Sequence, residues 1–174
     1  IPHIDPIGTL VFPILIMVTG MNVLFGWARP VPINPRLFRR YRPGLFWTSF
    51  AGPGMNFLLA ILSAFSFCLL LKFVPQDFYL FEPLVGMSKV SIYLNYALGI
   101  FNLIPLPPLD GSKIIESFLS PQATQKYEQV ARYSFFILMA LLLSGALRVL
   151  MVPISFLAGI TLWLASNLVG LGGG

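Results

Sequence analysis

The chain has 174 residues, of which 57% are hydrophobic and only 10% are Asp, Glu, Lys or Arg. A soluble domain carries roughly 25% charged residues, so this composition excludes a soluble globular protein, and its hydrophobicity excludes an intrinsically disordered one. What remains is a multi-spanning membrane protein. At about 20 apolar residues per span, the length allows four or five passes in one membrane domain.

The net charge of +5 comes from eleven Lys and Arg against six Asp and Glu. No basic run interleaved with polar residues extends along the chain, so we expect no nucleic-acid partner. In a membrane protein, Lys and Arg instead report topology. Segment 29–42 holds five arginines and no acidic residue, and segment 111–132 holds Lys113, Lys126 and Arg132. The positive-inside rule therefore predicts that both segments are cytoplasmic in a multi-pass membrane protein.

Five charge-poor runs succeed one another along the chain: 6–28, 43–71, 90–109, 133–147 and 149–174. Each is long enough, or nearly so, to cross a hydrocarbon core of about 30 Å as a helix. The last run is open to three interpretations: a fifth span, a continuation kinked at Pro153, or an interfacial helix. The first is open to two, because it either spans the membrane or re-enters on the same side.

Prolines and caps predict where helices break. Pro105, Pro107 and Pro108 crowd the end of the third run, and such a segment is expected to be extended at the membrane edge. After it, 111–132 reads as helix interrupted at Ser120-Pro121, with Ser120 as an N-cap and Pro121 in the first turn. The predicted fold class is all-α: a polytopic transmembrane helix bundle with proline-broken extended segments.

Asp110 is the outstanding candidate for chemistry. It follows an uncharged run of twenty residues. An acidic side chain at membrane depth has a high free-energy cost, so its presence there indicates a function. The prolines break the helix before it, and Gly111 is expected to free the backbone after it. Two interpretations stay open from composition: a carboxylate ligand for zinc, or an N-cap for the helix that starts near Ser112.

Four segments resemble the site-2 proteases, a family of intramembrane zinc metalloproteases. Residues 102–111 match the motif N-x-x-P-x-x-x-L-D-G, and residues 51–56, Ala-Gly-Pro-Gly-Met-Asn, resemble a second motif of the family, Gly-Pro-x-x-Asn. Residues 3–9 and 25–32 are similar to a compact prokaryotic branch without a PDZ insertion. The resemblance extends from the first residues to about Arg132.

The resemblance implies a zinc cofactor, with Asp110 as the third zinc ligand. It also implies that Asn102 and Asn56 contact the substrate backbone or the reaction intermediate. The alternative role for these two asparagines is a polar contact in the packing between helices. The implied partners are the lipid bilayer and a transmembrane helix of a substrate protein.

The sequence departs from the family at one decisive place. The 174 residues contain no HExxH, whose two histidines and glutamate complete the family's site, and His3 is the single histidine. In the family that helix lies upstream of the segment at residues 3–9. Because the chain also lacks an initiator Met and the layout of a signal peptide, we expect it to be a fragment or processed product, inactive by itself. His3 and Asp5 read either as support for a zinc ligand or substrate, or as an interfacial side chain and a turn residue.

Two main hypotheses follow. The first is the membrane-embedded part of a zinc metalloprotease that cleaves peptide bonds within or next to transmembrane segments. The second is a non-catalytic membrane scaffold or binding subunit derived from the same family. A small transporter that uses Asp110 as a cation site is weaker, because the chain shows no paired internal repeat.

Overall fold

The computed structural model describes residues 40–171, and these residues form helices and connecting turns without a β-strand. Six α-helices and one 3-10 helix follow in order: α1 Tyr41–Phe73, α2 Phe81–Asn102, α3 Asp110–Phe118, α4 Pro121–Ala131, α5 Ser134–Leu143, the 3-10 helix Ala146–Leu150, and α6 Met151–Val169. The predicted all-α fold is thereby confirmed. The run 6–28 lies outside the described residues.

Three helical segments are long and apolar enough to cross a membrane: Tyr41–Phe73, Phe81–Asn102 and Ala146–Val169, which joins the 3-10 helix to α6. At 1.5 Å per residue, the 33 residues of α1 extend for about 50 Å, more than the hydrocarbon core requires. Helix α5 has ten residues and extends for about 15 Å, so it does not cross by itself. Gly145 ends this region with φ 70°, a left-handed conformation that stops a helix.

Helices α1 and α2 form an antiparallel pair. The hydroxyls of Ser63 and Ser91 share a hydrogen bond of 2.7 Å, and the ring of Phe57 lies 6.1 Å from that of Tyr96. Gly99 permits this approach, because a Cβ at that position would stand 2.8 Å from the Phe57 ring. These contacts fix the register of the two helices.

Helix α6 packs across this pair and runs parallel to α1. The Lys72 ammonium, in the last turn of α1, donates to the carbonyl of Val169 at the end of α6. Near the middle of α6, Thr161 shares a hydrogen bond with Tyr96 of α2. The core between the three helices includes small buried side chains, which allow close helix approach in lipid: Ala60, Ala64, Cys68, Ala158 and Ala165.

The start of α1 and the short helix α3 lie on the same side of the bundle. Tyr41 donates its hydroxyl to Glu116 at 3.2 Å, and Arg42 donates to the Leu119 carbonyl at 3.0 Å. Ser120 caps α4 by accepting from the Ala123 N–H at 3.3 Å, with Pro121 in the first turn, as the sequence predicts. The arginine-bearing start of α1 therefore faces the same compartment as segment 111–132.

Candidate functional site

The segment that precedes Asp110 is a series of tight turns. Helix α2 ends at Asn102, and α3 begins at Asp110. Between them the Leu106 N–H donates to the Ile104 carbonyl at 2.8 Å, and the Leu109 N–H donates to the Leu106 carbonyl at 2.9 Å. The proline triplet thus follows the end of the helix where the sequence predicts a break, and Asp110 comes directly after irregular backbone. The segment is turned rather than extended, because these hydrogen bonds close it on itself.

Gly111 is needed for space rather than for backbone freedom. It lies in the first turn of α3, and the glycines with positive φ in the described part of the chain are Gly145 and Gly170. A Cβ at Gly111 would stand 2.2 Å from the Leu103 carbonyl oxygen and 2.5 Å from that of Ile104. The expectation that Gly111 frees the backbone was therefore wrong. The turn closes on itself, and only a hydrogen fits at the contact.

Asp110 lies against the Gly52 backbone of α1. A Cβ at Gly52 would stand 3.0 Å from Asp110 Oδ2. The N-cap of α3 is Leu109, and no side chain caps this end, so Asp110 does not have the N-cap role that was its alternative. The structure thus brings together the two sequence motifs, at residues 51–56 and 102–111, through a glycine that leaves room for the carboxylate.

The Asp110 carboxyl is half-buried. Burial raises its pKa above the ordinary value of an aspartate, and the nearby Lys113 ammonium opposes that rise. A carboxylate with partial solvent access and a cation close by is able to bind a metal ion or exchange a proton.

Asn56 and Asn102 belong to the same end of the α1–α2 pair. Asn56 lies one helical turn beyond Gly52 on the same face of α1. The contacts between the two helices place Asn102 level with about residues 51–54 of α1. Both side chains are half-buried. Within residues 40–171 neither amide forms a side-chain hydrogen bond, whereas Asn95 and Asn167 each donate to a carbonyl four residues earlier.

A defect in α1 accompanies this site. Pro53 is fully buried inside the helix and has no N–H to donate to the carbonyl of Ser49, four residues earlier. The Ser49 hydroxyl is buried too, and it has no hydrogen-bond partner in the described structure. Buried polar groups of this kind are uncommon in native proteins and favour a functional setting.

The described residues can be compared with the ligands that a zinc ion needs. Asp110 fits a single carboxylate ligand, because carboxylate oxygen is a zinc ligand and this half-buried carboxyl keeps partial access to solvent. Within residues 40–171, no group of three His, Cys, Asp or Glu side chains comes together. His3 and Asp5 lie outside the described residues. The described part of the chain therefore supplies one candidate ligand and no complete metal site.

Sequence reasoning missed one polar contact of the site. Tyr127 of α4 donates its hydroxyl to the Pro105 carbonyl at 2.9 Å and so ties α4 to the turn that carries Asp110. Burial raises the pKa of this phenol, which favours the protonated donor form. No pattern in the sequence signals a contact across 22 residues of irregular and helical chain.

The fold and the site define a polytopic membrane protein that presents a carboxylate from a broken helix, beside a glycine of a long spanning helix. The model for peptidase family M50, whose members are the site-2 proteases, matches residues 82–145. A protein of Bacillus subtilis (strain 168) described as "Putative zinc metalloprotease YwhC" is 39% identical over 142 residues. The predicted resemblance to the site-2 proteases is thereby confirmed, and residues 82–145 of this chain resemble peptidase family M50.

The alignment covers different shares of this chain and of its Bacillus relative. The alignment with the Bacillus relative covers 81% of this chain and 61% of the relative, so the chain spans about three-fifths of that protein's length. No solved structure matches the chain significantly. The matched family segment contains Asn102 and Asp110, whereas Gly52 and Asn56 lie before it.

Proposed function

We propose that this chain is the membrane-embedded part of a zinc metalloprotease that cleaves peptide bonds within or next to transmembrane segments. One observation supports the proposal most directly: the Asp110 carboxylate lies against Gly52, so that both family motifs meet at one point. The family match and the identity to a protein named as a zinc metalloprotease support the same conclusion.

Each site residue has a proposed role. Asp110 is the carboxylate ligand of zinc, and two histidine ligands come from residues beyond this chain. Asn56 and Asn102 hydrogen-bond the substrate backbone or the reaction intermediate, because their half-buried amides have no partner among the described residues. When bound, zinc would polarise the scissile carbonyl and lower the pKa of a water molecule.

The substrate must unwind locally before it can react. In a helix the carbonyls are hydrogen-bonded, and in lipid a freed peptide group costs several kcal/mol unless the protein supplies a partner. The asparagine amides can each donate and accept, so they can stabilise the freed peptide groups.

The site belongs on the cytoplasmic side of a prokaryotic cell membrane. The start of α1 and segment 111–132 share one side, and both carry an excess of basic residues. The opposite end of the bundle holds the Lys72 contact and the connection between α1 and α2.

The test uses the natural protein, expressed from its complete reading frame and reconstituted in liposomes with single-span model peptides. Mass spectrometry should find cleavage within or beside the span. Asp110→Asn should abolish it, and Asp77→Asn, in the exposed connection at the far end, should not. The 174-residue chain alone should not cleave. Cleavage that survives Asp110→Asn would contradict the ligand assignment, and its absence from the intact zinc-loaded protein would favour a non-catalytic scaffold.

A further inference from the structure

An open groove lies between the start of α1 and the end of α3. Its volume is about 450 Å³, within the range of about 300–1,000 Å³ that is typical of small-molecule sites. Aromatic rings form much of its wall, and Arg42 is the charged residue among its described lining residues. We call it the aromatic groove, and its lining is Arg42, Pro43, Phe46, Trp47, Ser117 and Phe118.

Ring contacts between the two helices fix the wall of the aromatic groove. The centre of the Phe46 ring lies 5.2 Å from that of Trp47 and 5.5 Å from that of Phe118, both in edge-to-face geometry. Phe118 is the last residue of α3, so its contact joins α3 to α1. Trp47 and Phe118 are nonetheless 65% and 71% exposed. The groove therefore presents two large apolar side chains outward from a pre-formed surface.

Arg42 is held at the edge of the groove with most of its donors unused. Its guanidinium donates to the Leu119 carbonyl at 3.0 Å, and within residues 40–171 this is the hydrogen bond that it forms, from a group with five N–H donors. Arg42 also lines a neighbouring pocket of about 320 Å³, whose acidic lining residue, Glu116, accepts from the Tyr41 hydroxyl. The guanidinium is therefore positioned in advance and able to bind an anion.

The length of α1 places the groove at the level of lipid headgroups. Trp47 and Lys72 are 25 residues apart on this helix, or about 38 Å along its axis. The hydrocarbon core is about 30 Å thick, and about 40–45 Å thick with the headgroup regions. With Lys72 at the opposite interface, Trp47 lies in the interfacial region on the side of the basic segments, where tryptophan is enriched. Arg42 lies about 8 Å farther out along the axis.

The charge beside the groove favours an anionic lipid over a zwitterionic one. Segment 29–42, which leads into α1, carries five arginines and no acidic residue. Every phospholipid offers a phosphate, which a guanidinium can bind through two N–H groups. A zwitterionic headgroup adds a cation that the arginines repel, whereas a net negative headgroup is attracted by basic residues next to a membrane span.

We propose that the aromatic groove binds one anionic phospholipid of the cytoplasmic leaflet. Arg42 binds its phosphate, and the glycerol and the first acyl carbons lie along Trp47 and Phe118. The lipid would bridge α1, which carries Gly52, and α3, which begins at Asp110. The proposal requires that the protein spans a membrane, and it is independent of zinc binding and of proteolysis.

Native mass spectrometry of the full-length protein in detergent tests the proposal. The protein is titrated with dioleoylphosphatidylglycerol, which is anionic, or with dioleoylphosphatidylcholine, which has the same acyl chains and no net charge. The readout is the ratio of the two dissociation constants, because a general folding defect weakens both lipids alike. We expect phosphatidylglycerol to bind about tenfold more tightly, the equivalent of about 1.4 kcal/mol.

Variants at two arginines separate the groove from the general positive charge of the protein. Arg42→Gln should reduce the preference from about tenfold to about twofold, because the phosphate loses a charge-assisted donor. Arg42→Lys should retain part of the preference, since the charge remains without the planar fork. Arg132→Gln is the matched control: it removes the same charge from an exposed side chain of segment 111–132, outside the groove. It should leave the ratio unchanged.

A photoactivatable phosphatidylglycerol locates the bound lipid, and its cross-links should map to peptides that contain residues 42–47 or 117–118. Four results would overturn the proposal. They are equal affinity for the two lipids, no binding of either, equal loss of preference in Arg42→Gln and Arg132→Gln, and cross-links that map only to other parts of the protein. The last result would mean that another protein segment, and not a lipid, occupies the groove.

Discussion

The carboxylate of Asp110 lies against the backbone of Gly52, where a Cβ would stand 3.0 Å from Oδ2. The two residues are far apart in sequence, one inside the longest helix and the other at the start of a short one. Their contact joins the two motifs, at residues 51–56 and 102–111, into one site. Several measurable consequences depend on the atoms at this contact.

Replacing Gly52 by Ala should displace the Asp110 carboxylate and weaken zinc binding by the full-length protein, by about tenfold, as for other changes beside metal ligands. The fold should survive, because the added methyl meets only the end of that side chain. Isothermal titration with zinc measures the effect. Gly86→Ala is the control, with nothing within 4 Å of its Cβ, and equal affinities in the two variants would contradict the contact.

Gly111→Ala should be far more damaging than Gly52→Ala. Its Cβ would meet the Leu103 carbonyl oxygen at 2.2 Å, and backbone cannot move aside as a side chain can. We expect a loss of about 3 kcal/mol in unfolding free energy, at the upper end for overpacking, measured by denaturant unfolding in detergent. Gly159→Ala, which adds a Cβ in open space, should be neutral or stabilising; similar losses in both variants would show that the turn is looser than described.

Removing the Tyr127 hydroxyl should loosen the turn before Asp110. Tyr127→Phe deletes one hydrogen bond to the Pro105 carbonyl, worth about 1 kcal/mol. Hydrogen exchange at the amides of Ile104, Leu106 and Leu109 should accelerate about fivefold. Tyr79→Phe, at a side chain that is 80% exposed, is the comparison, and unchanged exchange in Tyr127→Phe would mean that the bond does not restrain the turn.

The start of α1 contacts α3 and the turn that leads into α4, and this arrangement predicts a labelling pattern. In a Cys68→Ala background, which removes the lone cysteine of the chain, a membrane-impermeant maleimide should label Asp77→Cys in intact cells. Gln122→Cys should react only after permeabilisation. The reverse pattern would invert the proposed orientation, and labelling of both in intact cells would contradict their placement at opposite ends.

Replacing Lys72, at the end of the bundle away from the site, should lower the stability of the protein without affecting the site. Lys72→Met removes the ammonium that donates to the Val169 carbonyl, a favourable charge at a helix C-terminus worth about 0.3–1 kcal/mol. The unfolding midpoint should fall while zinc content stays unchanged. A loss of zinc in this variant would show that the two ends of the bundle are coupled.

The local features of this protein could be predicted from its sequence. The contacts that depend on how the helices align with one another could not. The helix break at Pro105–Pro108 and the Ser120 cap follow from backbone chemistry that acts within a few residues. The contact of Gly52 with Asp110 depends on how α1 packs on α3, which no local pattern encodes. The end of the short helix α5 could have been predicted from the sequence, because glycine favours the left-handed backbone that ends helices. Gly145 adopts that conformation in the structure.

Asn56 and Asn102 were proposed as site residues through the family resemblance. Their position at the same end of the α1–α2 pair follows from the register of the two helices, which the contacts of Ser63 with Ser91 and of Phe57 with Tyr96 define.

Zinc content tests the central claim most directly. The full-length protein, purified in detergent without added metal, is analysed by inductively coupled plasma mass spectrometry beside its Asp110→Asn and Asp77→Asn variants. The account predicts about one zinc per chain in the unchanged protein and in Asp77→Asn, and little in Asp110→Asn, because a three-ligand site does not survive the loss of a ligand. Equal zinc in all three proteins, or none in the unchanged one, would contradict it.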